Sequence, residues 1–320
     1  MLKLVLMPPQ SERTIELANR VRDSVPDILV VTPEDDSSAI AAIADADAAI
    51  GAIPKQALTA AKSLRWNQGM AAGPPEGYYY PELVEHPVVI TNSAGIFGEH
   101  IGAHIMAFIL GLSRGFQHYF PQQSRQEWNR LEIESTVYLP EATVLMVGVG
   151  GIGAAAAAMC ANFGIRVIGV DTRRTDVPLG VAELHHSDQL ENLLPEADFI
   201  VLTVPLTPES KGMMSARQFG LMKNSSFLIN IGRGGTVVLD DLVDALNTGE
   251  IAGAGIDVFE IEPLPENHPL WKAPGLLLTP HRAAVGPYTN ERRMNLIIDN
   301  CRRFVGGEPL RNVVDKANWF

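Results

Sequence analysis

Three ionisable residues in the second half of the chain have the types needed for acid–base chemistry on an acidic substrate. Arg233 lies between glycines in INIGRGG, Glu262 lies in DVFEIEPLPENHPLW, and His281 directly follows LLLTP. An arginine guanidinium can form two parallel hydrogen bonds with a carboxylate. A histidine is the usual proton carrier near neutral pH, and a neighbouring carboxylate fixes its tautomer and favours its protonated form. These residue types predict a site that binds an acid and transfers a proton to it.

Each of these residues lies at or shortly after the end of a short apolar segment that is predicted to be a buried strand. The predicted strands are residues 3–7, 27–31, 48–52, 88–91, 143–148, 166–171, 199–204, 226–231, 253–258 and 276–280. Apolar strands separated by helical stretches indicate parallel sheets that are covered on both faces. Because the carboxyl ends of such strands line the ligand crevice, we expect the three residues to meet at one edge of a sheet.

A glycine-rich turn in VLMVGVGGIGAAAA predicts a dinucleotide site. Gly148, Gly150 and Gly153 form the pattern G-x-G-x-x-G between an apolar strand and an alanine-rich helix, where backbone N–H groups can bind a pyrophosphate. Asp171 ends the next predicted strand and can accept hydrogen bonds from ribose hydroxyls, which favours NAD. Arg173 lies beside it and keeps NADP possible. The alternative is a glycine-rich turn that binds no ligand.

The order of the elements predicts two domains. A long helix is expected over about residues 98–120, with Ile101, Ile105, Phe108, Ile109 and Leu112 on its apolar face. Predicted strands lie on both sides of this helix, and a C-terminal helix is expected to return to the first sheet. We therefore predict one domain from residues 1–97 with 287–320, and a second from residues 98–286.

The composition excludes several function classes. The chain has 320 residues and a net charge of -12, which disfavours nucleic acid and anionic membranes as partners. Its two cysteines, Cys160 and Cys301, form no disulfide or thiolate-metal pattern, so we expect a reducing compartment and a cytoplasmic location. The apolar N-terminus is too short for a signal peptide or a membrane span. His100 and His104 have a metal-compatible spacing, but no third ligand is evident and no metal is predicted.

Five motifs in order resemble the D-isomer-specific 2-hydroxyacid dehydrogenases, with the closest similarity to glyoxylate/hydroxypyruvate reductase-like members. The motifs are GVGGIG, VPLTPES, NIGRGG, DVFEIEPLPENHPLW and TPHRAA. The resemblance implies an α/β fold of two flavodoxin-like/Rossmann doubly wound domains, with the cofactor domain inserted in the substrate domain. It also implies a homodimer and an oxidoreductase that uses NAD(P)H to reduce a small 2-oxo acid reversibly to the D-2-hydroxy acid.

The resemblance further implies roles for individual residues. His281 would donate the proton, Glu262 would orient His281, Arg233 would bind the substrate carboxylate, and Asp257 would meet the nicotinamide carboxamide. Cofactor contacts are expected at Gly148, Gly150, Gly151, Ile152, Gly153, Asp171, Arg173, Val204, Pro205, Ile231, Gly232, Asp257, His281 and Ala283. Substrate contacts are expected at Ala72, Gly73, Arg233 and His281.

Three features depart from the pattern of the family, and one is Ala103, which stands where an acidic residue is usual in the first turns of the predicted helix. Pro74 and Pro75 follow Ala72–Gly73, where the family usually has any residue and then an aspartate. Because prolines lack an N–H donor and stiffen a turn, we expect them to affect substrate scope. Arg282 follows His281 where a neutral residue is common, so it adds a positive charge that could favour a substrate with a second acidic group. The alternative function is an NAD(H)-sensing binding protein without significant turnover, because a corepressor branch of the family keeps the arginine, glutamate and histidine.

Overall fold

The computed structural model describes residues 1–73, 77–132 and 136–318. The chain forms two compact units. Unit 1 comprises Met1–Ile96 and Pro287–Phe320, and unit 2 comprises Phe97–Gly286. Each unit is built around its own parallel sheet with helices packed on it.

Unit 1 has a five-stranded parallel sheet in the order β2-β1-β3-β4-β5. Its strands are β1 (Leu2–Leu6), β2 (Ile28–Val31), β3 (Ala48–Ile50), β4 (Trp66–Gln68) and β5 (Val89–Thr91), and its helices are α1 (Glu12–Ser24), α2 (Asp36–Ile43), α3 (Lys55–Ala60), α4 (Pro81–Glu85) and α11 (Thr289–Gly306). One core cluster lies on each face of the sheet, with α1 and α11 on one side and α2, α3 and α4 on the other. This strand order is that of flavodoxin-like folds.

Unit 2 has a seven-stranded parallel sheet in the order β12-β11-β10-β9-β6-β7-β8. Its strands are β6 (Thr143–Val147), β7 (Arg166–Asp171), β8 (Glu183–His186), β9 (Phe199–Leu202), β10 (Phe227–Asn230), β11 (Gly253–Ile256) and β12 (Leu276–Leu278). Its helices are α5 (Gly98–Ser113), α6 (Phe116–Arg125), α7 (Gly151–Asn162), α8 (Leu190–Leu193), α9 (Ala216–Phe219) and α10 (Leu239–Thr248). The strand order reverses at β6, as in Rossmann folds, so the predicted fold class of two doubly wound α/β units is confirmed.

The prediction of one continuous helix over about residues 98–120 is wrong. The helix α5 ends at Ser113, and α6 begins at Phe116. Gly115 between them has a φ of +75°, a left-handed conformation that a glycine adopts without steric cost. A Cβ atom at this position would lie 2.4 Å from Cδ1 of Leu131. The chain therefore turns at Gly115. The apolar face predicted for this region is buried along α5, as expected.

Two short strands were missing from the sequence prediction because their residues are polar. The strand β4 (Trp66–Gln68) is fully buried. The amide nitrogen of Asn67 donates to the hydroxyl of Tyr78 (2.9 Å), and Oε1 of Gln68 accepts from the hydroxyl of Thr91 (2.8 Å). The strand β8 (Glu183–His186) lies at the edge of the second sheet, where one side is open to water. Neither strand shows the apolar pattern from which strands are predicted.

No helix within the described ranges is long and apolar enough to cross a membrane. In the same ranges, no three or more histidine, cysteine, aspartate or glutamate side chains are placed to hold a metal ion.

Candidate active site

Arg233 lies in a turn that Asn230, the last residue of β10, holds in place. The side-chain amide of Asn230 donates to the Arg233 carbonyl (3.1 Å), and its Oδ1 accepts from the N–H of Gly232 (3.1 Å). The hydroxyl of Thr236 donates to the same Arg233 carbonyl (2.7 Å). Asn230 and Thr236 are buried. These bonds fix the backbone that carries Arg233.

Two glycines let the turn approach the neighbouring strands closely. A Cβ atom at Gly232 would lie 2.7 Å from the carbonyl oxygen of Val204, which follows β9. A Cβ atom at Gly234 would lie 1.9 Å from the carbonyl carbon of Phe259, which follows β11. Both separations are too short for any side chain, so the backbone segments after β9, β10 and β11 pack directly on one another. This packing brings the Arg233 turn next to the segment that carries Glu262.

Glu262 forms a hydrogen-bonded pair with His281. Its Oε2 lies 2.7 Å from Nδ1 of His281, and its Oε1 accepts from the backbone N–H of Phe259 (3.0 Å). An ionised carboxylate can only accept, so His281 carries a proton on Nδ1 and its Nε2 is the nitrogen left to act on a substrate. The side chains are 49% exposed for His281 and 36% for Glu262, so a substrate can reach the pair.

The backbone of His281 adopts a left-handed conformation with a φ of +52°. This region is unfavourable for residues other than glycine and occurs at functional sites when the surrounding structure enforces it. Here the N–H of His281 donates to the carbonyl oxygens of Asp257 (2.8 Å) and Thr279 (3.1 Å). The tight turn after β12 therefore aims the imidazole at Glu262.

The charge of Glu262 acts on the guanidinium of Arg233 in the neighbouring turn. Burial lowers the pKa of the Arg233 guanidinium, and the negative charge of Glu262 opposes that shift. The guanidinium also donates through Nη1 to the carbonyl of Gly232 (2.6 Å). Arginine stays protonated throughout the physiological range, so the site combines a fixed cation with a carboxylate–imidazole pair. This combination suits an anionic substrate that must receive or lose a proton.

The glycine turn after β6 has the shape that a dinucleotide requires. Gly148 has a φ of +89°, and a Cβ atom at Gly153 would lie 2.1 Å from the carbonyl oxygen of Gly148. By contrast, a Cβ atom at Gly150 or Gly151 would have no neighbour within 4 Å. The first and third glycines of the motif thus permit close packing, while the backbone near the second stays open. Gly150 is the N-cap of α7 and has no side chain to cap the first-turn N–H groups, which suits a pyrophosphate.

Asp171 lies at the end of β7, next to the glycine turn. Its carboxylate accepts from the backbone N–H groups of Val149 (2.8 Å), Arg173 (2.9 Å) and Arg174 (2.9 Å). Burial raises the pKa of Asp171, but these hydrogen bonds and the charge of Arg173 outweigh it and leave the pKa below its usual value. A negative charge therefore persists where a ribose hydroxyl or a 2′-phosphate would lie.

The other predicted cofactor residues lie near the same edge of the unit 2 sheet. Val204 and Pro205 follow β9, Ile231 follows β10 and is buried, Ala283 is buried two residues after His281, and Ile152 is in the first turn of α7. The predicted substrate residues Ala72 and Gly73 belong to unit 1, where the Ala72 carbonyl accepts from the side chain of Asn92 (2.8 Å). Pro74 and Pro75, which were predicted to affect substrate scope, lie outside the described residues.

Sequence reasoning assigned no role to Asn230 or Thr279. Asn230 stabilises the Arg233 turn, and Thr279 donates to Oδ1 of the buried Asp257 (2.6 Å). Asp257 also accepts from the N–H groups of Arg282 (2.8 Å) and Ala283 (2.9 Å). In the sequence, Asn230 and Thr279 stand out only as polar residues at the ends of apolar strands. That pattern does not show which residues they bond to.

The chain is similar to one protein family over more than half of its length. A sequence profile described as "D-isomer specific 2-hydroxyacid dehydrogenase, NAD binding domain" matches residues 106–283. A glyoxylate reductase from Korarchaeum cryptofilum is 34% identical over 243 residues, which are 73% of this chain and 71% of that protein. A glyoxylate/hydroxypyruvate reductase A from Photorhabdus laumondii subsp. laumondii is 32% identical over 229 residues, covering 72% and 71% of the two chains.

The fold is also similar to that of a solved structure. The crystal structure of an NADPH-dependent glyoxylate/hydroxypyruvate reductase from Sinorhizobium meliloti, in complex with NADP and sulfate, has a TM-score of 0.84. The match covers 100% of both chains at 26% sequence identity.

Proposed function

The chain belongs to the D-isomer specific 2-hydroxyacid dehydrogenase family, and on this premise we propose that it is an oxidoreductase that uses NAD(P)H to reduce a small 2-oxo acid to the D-2-hydroxy acid. The substrate is of the glyoxylate or hydroxypyruvate class, and the reaction is reversible. The observation that carries the proposal is the His281–Glu262 pair with a separation of 2.7 Å, next to the packed turn that carries Arg233.

Each side chain of this group has a distinct task in the proposed reaction. Arg233 binds the carboxylate of the 2-oxo acid and polarises its C2 carbonyl, because its planar fork matches a carboxylate. His281 donates a proton from Nε2 to the C2 oxygen, since its Nδ1 is committed to Glu262. Glu262 stabilises the imidazolium before the transfer and holds the ring in one orientation. In the oxidation direction, the same nitrogen accepts the proton of the 2-hydroxyl.

The residues of the glycine turn fit a nicotinamide dinucleotide. Gly150 and Gly151 leave space around the backbone at the N-terminus of α7, and Asp171 presents a carboxylate at the end of β7. When it is bound, the reduced nicotinamide supplies the hydride that adds to C2 of the acid. We place the pyrophosphate at Gly150, Gly151, Ile152 and Gly153, and the ribose at Asp171.

The function can be tested by the oxidation of NADH and NADPH in the presence of a panel of 2-oxo acids, from glyoxylate and hydroxypyruvate to phenylpyruvate. We expect turnover with at least one small acid, followed as loss of absorbance at about 340 nm, with the rate saturating in both substrates. Tight cofactor binding without turnover on any acid would contradict the proposal and indicate a cofactor-sensing binding protein instead.

The choice between the two cofactors depends on the charge of Asp171. In Asp171→Asn, the loss of the negative charge removes its repulsion of a 2′-phosphate. The ratio of kcat/KM for NADPH to that for NADH should therefore rise about tenfold or more. A general loss of structure in the turn would lower kcat/KM for both cofactors alike and would leave this ratio unchanged.

Arg173→Ala provides the opposite test at the same turn. Arg173 is exposed and adds a positive charge beside Asp171. Its removal should lower the same ratio, and an unchanged ratio in both variants would show that neither residue faces the adenosine ribose.

We propose that the protein forms a homodimer through the β12 edge of unit 2. Among the described residues, β12 pairs only with β11, so no strand covers its other edge. Exposed aromatic side chains lie nearby, with exposed fractions of 43% for Phe116, 52% for Phe120 and 53% for Trp271. A groove of about 710 Å³ separates α6 from the segment that leads into β12. Exposed aromatic groups beside an open strand edge are typical of a protein interface.

The dimer proposal predicts the effect of a charge at Phe120. Phe120→Glu should weaken dimerisation at least about tenfold, because the interface would have to bury a carboxylate. Light scattering after size-exclusion chromatography measures the mass over a range of concentrations. Phe163→Glu is the control, since Phe163 is similarly exposed at the end of α7. A monomeric wild-type protein, or equal losses in both variants, would rule this interface out.

We also propose a cytoplasmic location. Cys160 and Cys301 are both buried and free, which agrees with a reducing compartment.

A further inference from the structure

The helix α5 contacts both ends of the loop that carries His281. Nε2 of His104 lies 2.9 Å from Oγ1 of Thr279 at the start of the loop. At its end, a Cβ atom on Gly286 would lie only 2.5 Å from Nδ1 of His100, so the loop packs closely against the His100 ring there. His100 and His104 are one helical turn apart and lie on the same face of α5. This face therefore supports the loop.

The hydrogen bonds of Thr279 define where the protons lie. Its hydroxyl lies 2.6 Å from Oδ1 of Asp257, a carboxylate that is 1% exposed and, when ionised, can only accept. Since the hydroxyl has a single hydrogen, which is donated to Asp257, it must accept from His104. Nε2 of His104 therefore carries a proton. The direct separation of His104 Nε2 and Asp257 Oδ1 is 3.8 Å, so Thr279 is the link between them.

Asp257 connects this link to the backbone around His281. Its two carboxylate oxygens accept from the N–H groups of Arg282 (2.8 Å) and Ala283 (2.9 Å), the two residues after His281. Its carbonyl accepts from the N–H of His281 itself (2.8 Å). The left-handed conformation of His281 is thus enforced on one side by Asp257, and the orientation of that carboxylate depends on the hydroxyl of Thr279.

We propose that His104 is a positioning residue for the catalytic histidine, acting through Thr279 and Asp257 on the turn that holds His281. The inference rests on the proposed function, in which His281 is the proton donor. The His104 ring is partly buried, with its edge against Phe108 at 4.8 Å between ring centroids. Burial lowers the pKa of His104, while Asp257 opposes the shift. At neutral pH the ring is therefore neutral, with its proton on Nε2.

Thr279→Val tests the link, because valine keeps the shape of threonine and removes the hydroxyl. We expect kcat to fall about 10–100-fold, the effect of one hydrogen bond to a charged group. The KM for the 2-oxo acid should stay within about threefold, because Arg233 is untouched. Thr279→Ser, which restores the hydroxyl, should recover kcat to within about threefold of the wild type.

His104→Phe tests the other end of the link. It should lower kcat about tenfold, and the double variant with Thr279→Val should be no slower than Thr279→Val alone, because both changes break the same chain of bonds. Ser226→Ala is the control for general destabilisation. The buried hydroxyl of Ser226 donates to the backbone carbonyl of Lys223 (2.7 Å) at the opposite end of the sheet. It should lower the Tm without lowering kcat.

A second measurement does not depend on turnover. Diethyl pyrocarbonate acylates the ring of an accessible neutral histidine, and mass spectrometry follows the modification of His281 alone. The rate at which His281 is modified should change more than about threefold in Thr279→Val, because the turn that holds His281 loses its support. The same rate should stay unchanged in Ser226→Ala. An unaltered rate together with an unaltered kcat would overturn the proposal, as would equal losses of kcat in the valine and serine variants. A wild-type protein that turns over no 2-oxo acid would instead refute the proposed function.

Discussion

Replacing His281 with alanine is expected to lower kcat for the reduction of the 2-oxo acid by about 10²–10⁴-fold, the usual contribution of a general acid–base residue. Glu262 holds the imidazole at 2.7 Å through Nδ1, which leaves Nε2 for the substrate oxygen. The dissociation constant of NADH should change less than about threefold, because the glycine turn and Asp171, where we place the pyrophosphate and the ribose, are unaltered. Steady-state kinetics and fluorescence titration measure the two quantities separately.

The matched control for this variant is His185→Ala. His185 lies in the edge strand β8, where its ring is partly exposed and lies near Glu183. It therefore has a carboxylate partner as His281 does, but it is far along the sheet from Arg233. Its removal should leave kcat unchanged. If His281→Ala kept the kcat of the wild type, the role of His281 as proton donor would be wrong, whatever the control showed.

Replacing Arg233 with alanine is expected to raise the KM for the 2-oxo acid about 100-fold or more, since two charge-assisted hydrogen bonds to the substrate carboxylate are lost. A fall in kcat should accompany it, because the same guanidinium polarises the C2 carbonyl in the proposed reaction. The affinity for NADH should change less than about threefold, because Asn230 and Thr236 continue to hold the backbone of the turn.

Arg233→Lys separates the charge of the side chain from its shape. Lysine keeps the positive charge but lacks the planar fork, so it should recover only part of the lost affinity. Arg217→Ala is the control, because Arg217 forms an exposed ion pair with Glu191 (2.6 Å) away from this turn. Equal losses of affinity for NADH and for the acid in Arg233→Ala would count against a contact with the substrate carboxylate.

Much of the architecture could be predicted because it depends on local apolar patterns. The buried strands of unit 2 are continuous apolar runs, as strands covered on both faces must be. The ends of these strands carry the residues of the candidate site, so Arg233, Asp257 and Asp171 could be assigned to one sheet edge from their positions alone. The alanine-rich segment after the glycine turn was predicted as a tightly packed helix, and α7 buries Ala156, Ala157 and Cys160.

The features that could not be predicted from the sequence depend on contacts between distant parts of the chain. The strand β4 is polar but buried, because its neighbours supply hydrogen bonds that no local pattern reveals. The helix break at Gly115 combines a left-handed backbone conformation with close packing against Leu131 from a later segment. The link from His104 to Asp257 joins α5 to the residues that directly follow β12 and β11, which are far apart in sequence. From the sequence, the histidine pair of α5 suggested only a metal-compatible spacing.

In the proposed reaction, the reduced nicotinamide gives a hydride to C2 of the 2-oxo acid and His281 gives a proton to the C2 oxygen. The most direct test is a reaction of hydroxypyruvate with NADH or NADPH that carries deuterium at C4 on the transferred face, followed by chiral separation and mass analysis of the product. We expect D-glycerate with one deuterium at C2, and loss of the reaction in His281→Ala. Formation of the L-enantiomer, or of no labelled glycerate although the cofactor binds, would contradict it.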